Sequence, residues 1–167
     1  MSTAEHRREA PPSVAVHVVT VSDTRTIETD TSGKAIADLL GRAGHVVHGR
    51  TILKDEPGEV AAIVARCIAD PTVDVVITTG GTGITSRDST FEAIDGLLEK
   101  GLDGFGELFR MLSYPEIGAA AMLSRATAGL AGRTIIIALP GSEQAVRLAM
   151  EKLVLPEIGH LVREARR

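Results

Sequence analysis

Residues 78–88, TTGGTGITSRD, contain the residue types best suited to bind a phosphate-bearing ligand. Gly80, Gly81 and Gly83 have no Cβ, so ligand phosphates can approach the backbone N–H groups, and Arg87 adds a positive charge. The apolar residues 73–77 predict a strand before this loop, and the spacing of Ser89 and Glu92 (89–92) predicts a capped helix after it, whose start favours anions. A tight strand-to-helix turn would also explain the glycines. The carboxylate of Asp88 suits Mg²⁺ and makes the ligand-binding interpretation stronger.

The familiar catalytic signatures are missing from this sequence. There is no GxxxxGK[ST] and no GxGxxG, which argues against a P-loop enzyme or a standard dinucleotide fold. There is no GxSxG motif, and no histidine lies in a setting that suggests catalysis. No group of His and Cys residues has the spacing of a zinc site. Cys67 lies on an apolar helical stripe, so we expect it in the core.

Alternating strand and helix patterns predict the elements that position the loop. We expect strands at 14–21, 45–53, 73–79 and 134–139, and helices at 31–43, from Pro57, from Ser89, at 102–112 and at 143–153. Pro156 should stop or kink the last helix, and 115–128 has no clear pattern. The alternation favours βαβ units in a three-layer α/β/α sandwich with a mostly parallel sheet.

Ligands on such sheets bind beyond the carboxyl ends of the strands, where other polar residues are also expected. Ser22 and Asp23 follow the first strand, and Asp55 follows the second. Asp55 could be a metal ligand, an N-cap before Pro57, or both. We also expect Asp30, Ser32 and Gly33 at this edge, where they would either cap a helix or bind a ligand. Gly141 and Ser142 are expected there too, and Ser142 could be a helix N-cap or part of an anion site.

Composition limits the class of protein and its partners. The 167 residues fit one domain, which we place at 13–167, and the polar segment 1–12 is expected to be a disordered tail. Hydrophobic residues make up 44% and aromatic residues 2%, as suits an aliphatic core. A formal charge of −4 argues against nucleic acid as a partner. No segment resembles a membrane span or a secretion signal. A single cysteine fits a cytoplasmic location.

Several separated motifs resemble one known family over about residues 14–160. They are VSDTR at 21–25, DTSG at 30–33, TGGTG at 79–83 with RD at 87–88, GFGE at 104–107, AMLSR at 121–125 and LPGS at 139–142. In this order they resemble the molybdenum cofactor biosynthesis proteins that bind molybdopterin. The segment FRMLS at 109–113 and the LPGS motif make the chain most similar to the B branch of that family.

The resemblance implies a fold, an activity and roles for particular residues. The family fold is a three-layer α/β sandwich, and sister enzymes transfer AMP from ATP to molybdopterin, releasing pyrophosphate. By position, Asp55 and Asp88 match the family's two functional aspartates, the implied catalytic residues and Mg²⁺ ligands. Thr82 matches a ligand-loop threonine, and Ser113 matches a serine implicated in pterin handling.

One motif departs from the family's adenylyltransferases, which have Asn-Pro or Gln-Pro after the glycine equivalent to Gly141; here Ser142-Glu143 follows. The resemblance therefore leaves two functions: an adenylyltransferase, which the presence of Asp55, Arg87 and Asp88 favours, or a non-catalytic molybdopterin-binding carrier. A third option, a scaffolding role, would need an appended domain. ATP and GTP both remain as nucleotides, and trimer and hexamer as assemblies. Implied partners for product handover are molybdopterin synthase or the molybdenum-insertion protein.

Overall fold

A six-stranded sheet lies at the centre of the computed structural model, which describes residues 2–86 and 88–167. The strands are β1 (Ala15–Val21), β2 (Val46–Leu53), β3 (Val75–Thr79), β4 (Lys100–Gly101), β5 (Thr127–Ala131) and β6 (Thr134–Leu139). They are arranged in the order β2-β1-β3-β6-β5-β4. β2, β1, β3 and β6 run parallel, whereas β5 and β4 pair antiparallel at one side. The predicted mostly parallel sheet is confirmed.

Helices cover both faces of this sheet. They are α1 (Thr3–Arg8), α2 (Thr31–Arg42), α3 (Pro57–Ala69), α4 (Thr90–Asp95), α5 (Asp103–Ile117), α6 (Glu143–Ala149) and α7 (Leu155–Ala165), with a 3₁₀ segment at Gly118–Leu123. One core cluster joins the sheet to α2, α5, α6 and α7, and the other joins it to α3 and α4. These are the three predicted layers. Within the described residues, no helix has the length and hydropathy to cross a membrane.

The central strands are buried on both faces, which explains their nearly continuous apolar sequence. Every residue of β3 and β6 is buried. Because successive side chains of a strand point to opposite faces, Val75 and Ile77 enter one core cluster and Val76 enters the other. Val, Ile and Leu therefore fill both interfaces with the helices, and aromatic residues contribute little.

The region after the glycine loop differs most from the prediction. The predicted helix from Ser89 is only six residues long, and the Ser89 side chain makes no capping hydrogen bond to any residue that the structure describes. Glu92 forms an ion pair with Arg125 instead of completing the capping box. Gly101, a glycine of the kind that commonly ends a helix, lies instead in β4 with Lys100. The segment without a clear pattern contains the end of α5, the 3₁₀ turn and the start of β5.

Pro156 disturbs the last helix as predicted but does not stop it. The chain continues from α6 through a π-helical segment, Met150–Val154, into α7, where Pro156 occupies the first turn. Proline has no N–H and its ring collides with the carbonyl four residues earlier in a regular helix. The wider π turn directly before Pro156 accommodates both effects.

The structure also differs from the expectation of a disordered tail at 1–12. Ser2 and Glu5 form a reciprocal capping box at the start of α1. Ion pairs of Arg7 with Glu157 and of Glu9 with Arg163 join this segment to α7. The charges of the segment indicated disorder only because their partners, about 150 residues away, are not visible locally in the sequence.

Candidate functional site

The carboxyl ends of β1 and β2 are joined directly. The backbone N–H of Ser22 donates to the carbonyl of Leu53 at 2.8 Å. The N–H of Asp55 donates to Oδ1 of Asp23 at 3.0 Å. The hydroxyl of Ser22 accepts from the N–H of Arg25 at 3.1 Å, which turns the first loop. The predicted residues Ser22, Asp23 and Asp55 therefore lie together at one edge of the sheet.

The ends of β3 and β6 meet in the same way. Thr79 donates its hydroxyl to the carbonyl of Pro140 at 2.8 Å, and Gly80 donates its N–H to the carbonyl of Leu139 at 3.0 Å. A Cβ on Gly141 would lie 3.4 Å from Cα of Gly80, so the two loops touch. The sequence-based expectation that four strand ends share one polar edge agrees with this geometry.

Two glycines of the loop are fixed by backbone geometry. Gly80 has φ +90° and Gly81 has φ +68°, in the region that side chains disfavour. A Cβ on Gly80 would lie 2.2 Å from the carbonyl oxygen of Val21. One on Gly81 would lie 2.8 Å from Cγ2 of Thr90. The glycines thus have a structural role in the turn, and the same conformation leaves backbone N–H groups near the sheet edge.

Asp88 closes the far side of the glycine loop. Its Oδ2 accepts hydrogen bonds from the backbone N–H of Thr85 at 2.7 Å and from the Thr85 hydroxyl at 2.6 Å. A Cβ on Gly83 would lie 2.4 Å from that oxygen, so Gly83 makes room for the carboxylate. Arg87 and Met1 lie outside the described residues, and the predicted role of Arg87 stays a prediction.

Asp55 lies near the start of α4, the helix that Asp88 precedes. Its Oδ1 accepts a hydrogen bond from the hydroxyl of Thr90, which is buried. Thr90 follows Asp88 by two residues, so the Cα atoms of these two are at most about 7 Å apart. Glu56, not Asp55, occupies the N-cap position of α3, and no described side chain caps that helix. The interpretation of Asp55 as an N-cap is therefore wrong, and its carboxylate faces the start of α4.

Arg125 braces the glycine loop, a role that the sequence did not reveal. Its Nε donates to the carbonyl of Thr82 at 3.2 Å and a terminal nitrogen donates to the carbonyl of Gly83. The same guanidinium pairs with Glu92 and lies 4.5 Å from the ring centroid of Phe91. The hydrogen bond from Arg125 holds the pKa of Glu92 below its usual value. In the sequence, the only sign of a role for Arg125 is its place in the AMLSR motif at 121–125.

Asp30 is a buried structural anchor. It accepts hydrogen bonds from the Gly33 N–H at 2.9 Å, the Thr20 hydroxyl at 2.8 Å and Arg50 at 2.9 Å. The residue is 2% exposed, so its carboxylate caps α2 and is not free for a ligand. A Cβ on Gly33 would lie 2.1 Å from Oδ2 of Asp30, which explains the glycine. For Asp30 and Gly33 the structure favours the capping alternative over substrate binding.

Ser32 connects the first loop to the last. Its hydroxyl donates to the carbonyl of Gly141 at 2.7 Å and accepts from Arg25 at 3.0 Å. The residue is fully buried. Ser32 therefore positions the loop that carries Gly141, which is a supporting role different from the predicted direct contact with substrate.

Ser113 and Ser142 line one small cavity of about 100 Å³ between α5 and the start of α6. Ser113 is buried and donates its hydroxyl to the carbonyl of Phe109 at 2.8 Å. Ser142 caps α6 by accepting from the N–H of Ala145 at 3.2 Å. The predicted N-cap role of Ser142 is confirmed, and its exposed position leaves it accessible.

A larger cavity of about 450 Å³ lies beside the glycine loop, between α5 and the segment before β5. Phe91, Glu107, Arg110 and Arg125 line it. Its volume is within the range of small-molecule sites, and it combines an aromatic ring with two guanidinium groups. Phosphate-bearing and planar groups are the chemistry that such a lining would accept.

The chain is therefore a three-layer α/β protein, and its candidate ligand site lies beyond the carboxyl ends of the parallel strands. Residues 17–160 match the family model described as "Probable molybdopterin binding domain". Molybdenum cofactor biosynthesis protein B of Bacillus cereus is 52% identical over 168 residues, covering 100% of this chain and 99% of the relative. The protein of the same name from Bacillus subtilis is also 52% identical over 168 residues, with the same coverage.

Solved structures agree with these sequence matches. A crystal structure of molybdenum cofactor biosynthesis protein B has a TM-score of 0.91 and 52% identity, covering 95% of this chain and 99% of that chain. The tungsten cofactor synthesizing protein MoaB from Pyrococcus furiosus has a TM-score of 0.83 and 40% identity, covering 95% and 100%. The chain belongs to the molybdopterin-binding domain family, and the resemblance drawn from its motifs is confirmed.

Proposed function

We propose that this protein acts in molybdenum cofactor biosynthesis by transferring AMP from ATP to the terminal phosphate of molybdopterin, with release of pyrophosphate. The observation that carries the proposal is the position of two carboxylates, Asp55 and Asp88, near the start of α4 beside a glycine loop. Family membership and the names of the relatives support the pathway, and the chemistry is argued from the residues.

The reaction requires little acid–base help from the protein. The molybdopterin phosphate has a second pKa of about 6, so it is largely dianionic at neutral pH and is itself the nucleophile. Its oxygen forms a bond to the α-phosphorus of ATP, and the bond from that phosphorus to the pyrophosphate oxygen breaks. Positioning and charge neutralisation are what the site must supply.

The two carboxylates fit a hard divalent cation. Asp55 and Asp88 each present oxygen atoms, the ligand type that Mg²⁺ prefers, and their partners Thr90 and Thr85 are hydroxyl or N–H donors that orient them. When bound, Mg²⁺ would neutralise phosphate charge and stabilise the leaving group. The N–H groups of Gly81 and Gly83, with Thr82 and Arg87, would bind the phosphates, whereas Gly80 shapes the turn because its N–H donates to Leu139.

The pterin would lie toward the other loops of the edge. Ser113 and Ser142 share a cavity, and Ser32 holds the backbone of Gly141 next to Gly80. Ser22 and Asp23 complete the neighbouring loop. In this arrangement Asp30 and Gly33 act indirectly, because they fix the start of α2 that carries Ser32.

We also propose that the protein is a homo-oligomer, a trimer or a hexamer. Apolar side chains are exposed along α5 and the 3₁₀ turn, at Leu108, Met111, Tyr114, Ile117, Met122 and Leu123. Large exposed apolar patches on soluble proteins are typical of interfaces. A second copy of the chain is the partner that this proposal assigns to the patch.

The competing function is a carrier that binds molybdopterin without adenylylating it. It is favoured by Ser142-Glu143, where the adenylyltransferases of the family have Asn-Pro or Gln-Pro. To decide, the purified protein is incubated with molybdopterin, Mg²⁺ and either ATP or GTP, and pyrophosphate and the nucleotidyl-pterin product are measured. We expect both products with ATP. Tight pterin binding with no pyrophosphate from either nucleotide would favour the carrier.

A further inference from the structure

Three potential metal ligands meet between the N-terminal helix and the last helix. His6 of α1 lies beside His160 and Glu164 of α7, and one ligand atom from each lies within 4.8 Å of the other two. His6 Nδ1 is 3.4 Å from Oε1 of Glu164, and His160 Nε2 is 3.9 Å from the same oxygen. His160 and Glu164 are four residues apart, so they share one face of α7.

The separations of 3.4 and 3.9 Å equal or exceed those between two ligands of one ion, and Oε1 of Glu164 also accepts a hydrogen bond from Arg163 that a bound ion would have to replace. Direct hydrogen bonds between a histidine and a carboxylate are shorter, about 2.9 Å between the nitrogen and the oxygen. Ligands of a tetrahedral zinc ion, with bonds of about 2.0–2.2 Å, lie about 3.3–3.5 Å from one another. Small rotations of these partly exposed side chains would bring the three groups to that spacing. Two histidines and one carboxylate are also a ligand set that zinc uses in proteins.

A second, independent observation is the partner of His160. Its Nδ1 lies 2.9 Å from Oε2 of Glu157, one turn earlier on α7. A carboxylate oxygen at this distance accepts a hydrogen bond from Nδ1–H, and in that tautomer the lone pair of Nε2 faces Glu164. Metal-binding histidines in proteins commonly have this carboxylate partner.

We propose that His6, His160 and Glu164 bind a divalent transition-metal ion, Zn²⁺ being the probe, with Glu157 as the positioning residue for His160. The ion would fasten α1 to α7. The site is separate from the glycine loop and does not depend on the adenylyltransferase proposal. Sequence spacing could not indicate it, since His6 and His160 come from opposite ends of the chain.

The test is a Zn²⁺ titration by calorimetry on the full chain after treatment with EDTA. We expect one equivalent to bind to the native chain, with affinity reduced at least about tenfold in His6→Gln, in His160→Gln and in Glu157→Gln. The matched control is His48→Gln, whose histidine contacts Asp70 on a different part of the surface and should leave binding unchanged. Circular dichroism checks that each variant is folded.

Hydrogen exchange of the α1 amides provides the second measurement. Zinc should slow exchange at residues 3–8 in the native chain and in His48→Gln, and should have no such effect in His6→Gln. His6 is on a short terminal helix, so this variant is expected to keep the fold even if changes on α7 do not. No saturable zinc binding, equal binding in His6→Gln, or loss of binding in His48→Gln would overturn the proposal.

Discussion

Single residues of the glycine loop are constrained by contacts as well as by conformation. Gly81 combines a positive φ with a position where a Cβ would collide with Thr90, the residue that hydrogen-bonds Asp55. A side chain there would move the start of α4, and with it the carboxylate of Asp55. The conformation of the loop and the geometry of the proposed metal site are therefore coupled.

Gly81→Ala should lower the free energy of unfolding by roughly 1–3 kcal/mol, because it adds backbone strain to a steric clash. Gly41→Ala is the control: Gly41 is in α2, and a Cβ added there would have no described heavy atom within 4 Å. This control should raise stability by roughly 0.5–1 kcal/mol. Urea denaturation of both variants measures the difference. Equal stability of the two variants would contradict the constraint on Gly81.

How far the sequence predicts the site is clearest for its charged residues. Asp55 and Asp88 could be predicted as candidates because Asp55 follows an apolar strand pattern and Asp88 ends a glycine loop, and both patterns are local. Arg125 could not, because its partners Thr82, Gly83 and Glu92 are more than 30 residues away in the chain. Asp30 was placed at the right helix start, but its burial depends on Arg50, which a local pattern does not show.

At the scale of elements, Arg125 connects the segment before β5 to the glycine loop and to α4. It leads into β5 and fixes the glycine loop after β3 through two carbonyls, while its pair with Glu92 fixes α4. The planar guanidinium satisfies these acceptors together, whereas a lysine ammonium has a different geometry. The loop should therefore depend on arginine and not only on positive charge.

Arg125→Lys should weaken nucleotide binding about tenfold, corresponding to the loss of one charge-assisted hydrogen bond of about 1.4 kcal/mol. Amide exchange at residues 80–86 should become faster, since the loop loses a brace. Arg133→Lys serves as the control, because Arg133 donates to the carbonyl of Arg166 and directly precedes β6, at the end of the parallel strands opposite to the loop. Unchanged affinity and exchange in Arg125→Lys would show that the brace is not needed.

The elements themselves were predicted best where their patterns are long. The strands β1, β2, β3 and β6 and the helices α2, α3 and α5 follow from apolar periodicity, and Pro156 disturbs its helix as expected. The six-residue α4 and the two-residue β4 depend on tertiary contacts. Local capping signals therefore did not predict the short length of α4 or the presence of β4. Helix α1 was missed for the same reason, since α7 supplies its partners.

At the scale of the whole molecule, the exposed apolar patch on α5 and the 3₁₀ turn requires an explanation. Met122 is 75% exposed, Tyr114 64% and Met111 59%, whereas the apolar side chains of the core are almost completely buried. α5 also lines the cavity shared by Ser113 and Ser142. Assembly through this face would therefore place a second copy near the proposed pterin site.

Replacing Met111 and Met122 together by lysine should convert the proposed oligomer to smaller species, because charges would be buried at its interface. Light scattering coupled to size-exclusion chromatography measures the mass. Ile27→Lys is the matched control, since Ile27 is 57% exposed but belongs to the loop after β1. A monomeric native chain, or the same loss of mass in the control, would contradict assembly through this patch.

The most direct test of the proposed function is pyrophosphate release by Asp88→Asn with molybdopterin, ATP and Mg²⁺. Asparagine keeps an oxygen that can accept from Thr85, so the loop should hold while the charge is lost. We predict a rate roughly 10²–10³-fold lower with pterin binding retained, and a native rate for the control Asp95→Asn on the exposed end of α4. Full turnover by Asp88→Asn would contradict the proposed role of this carboxylate.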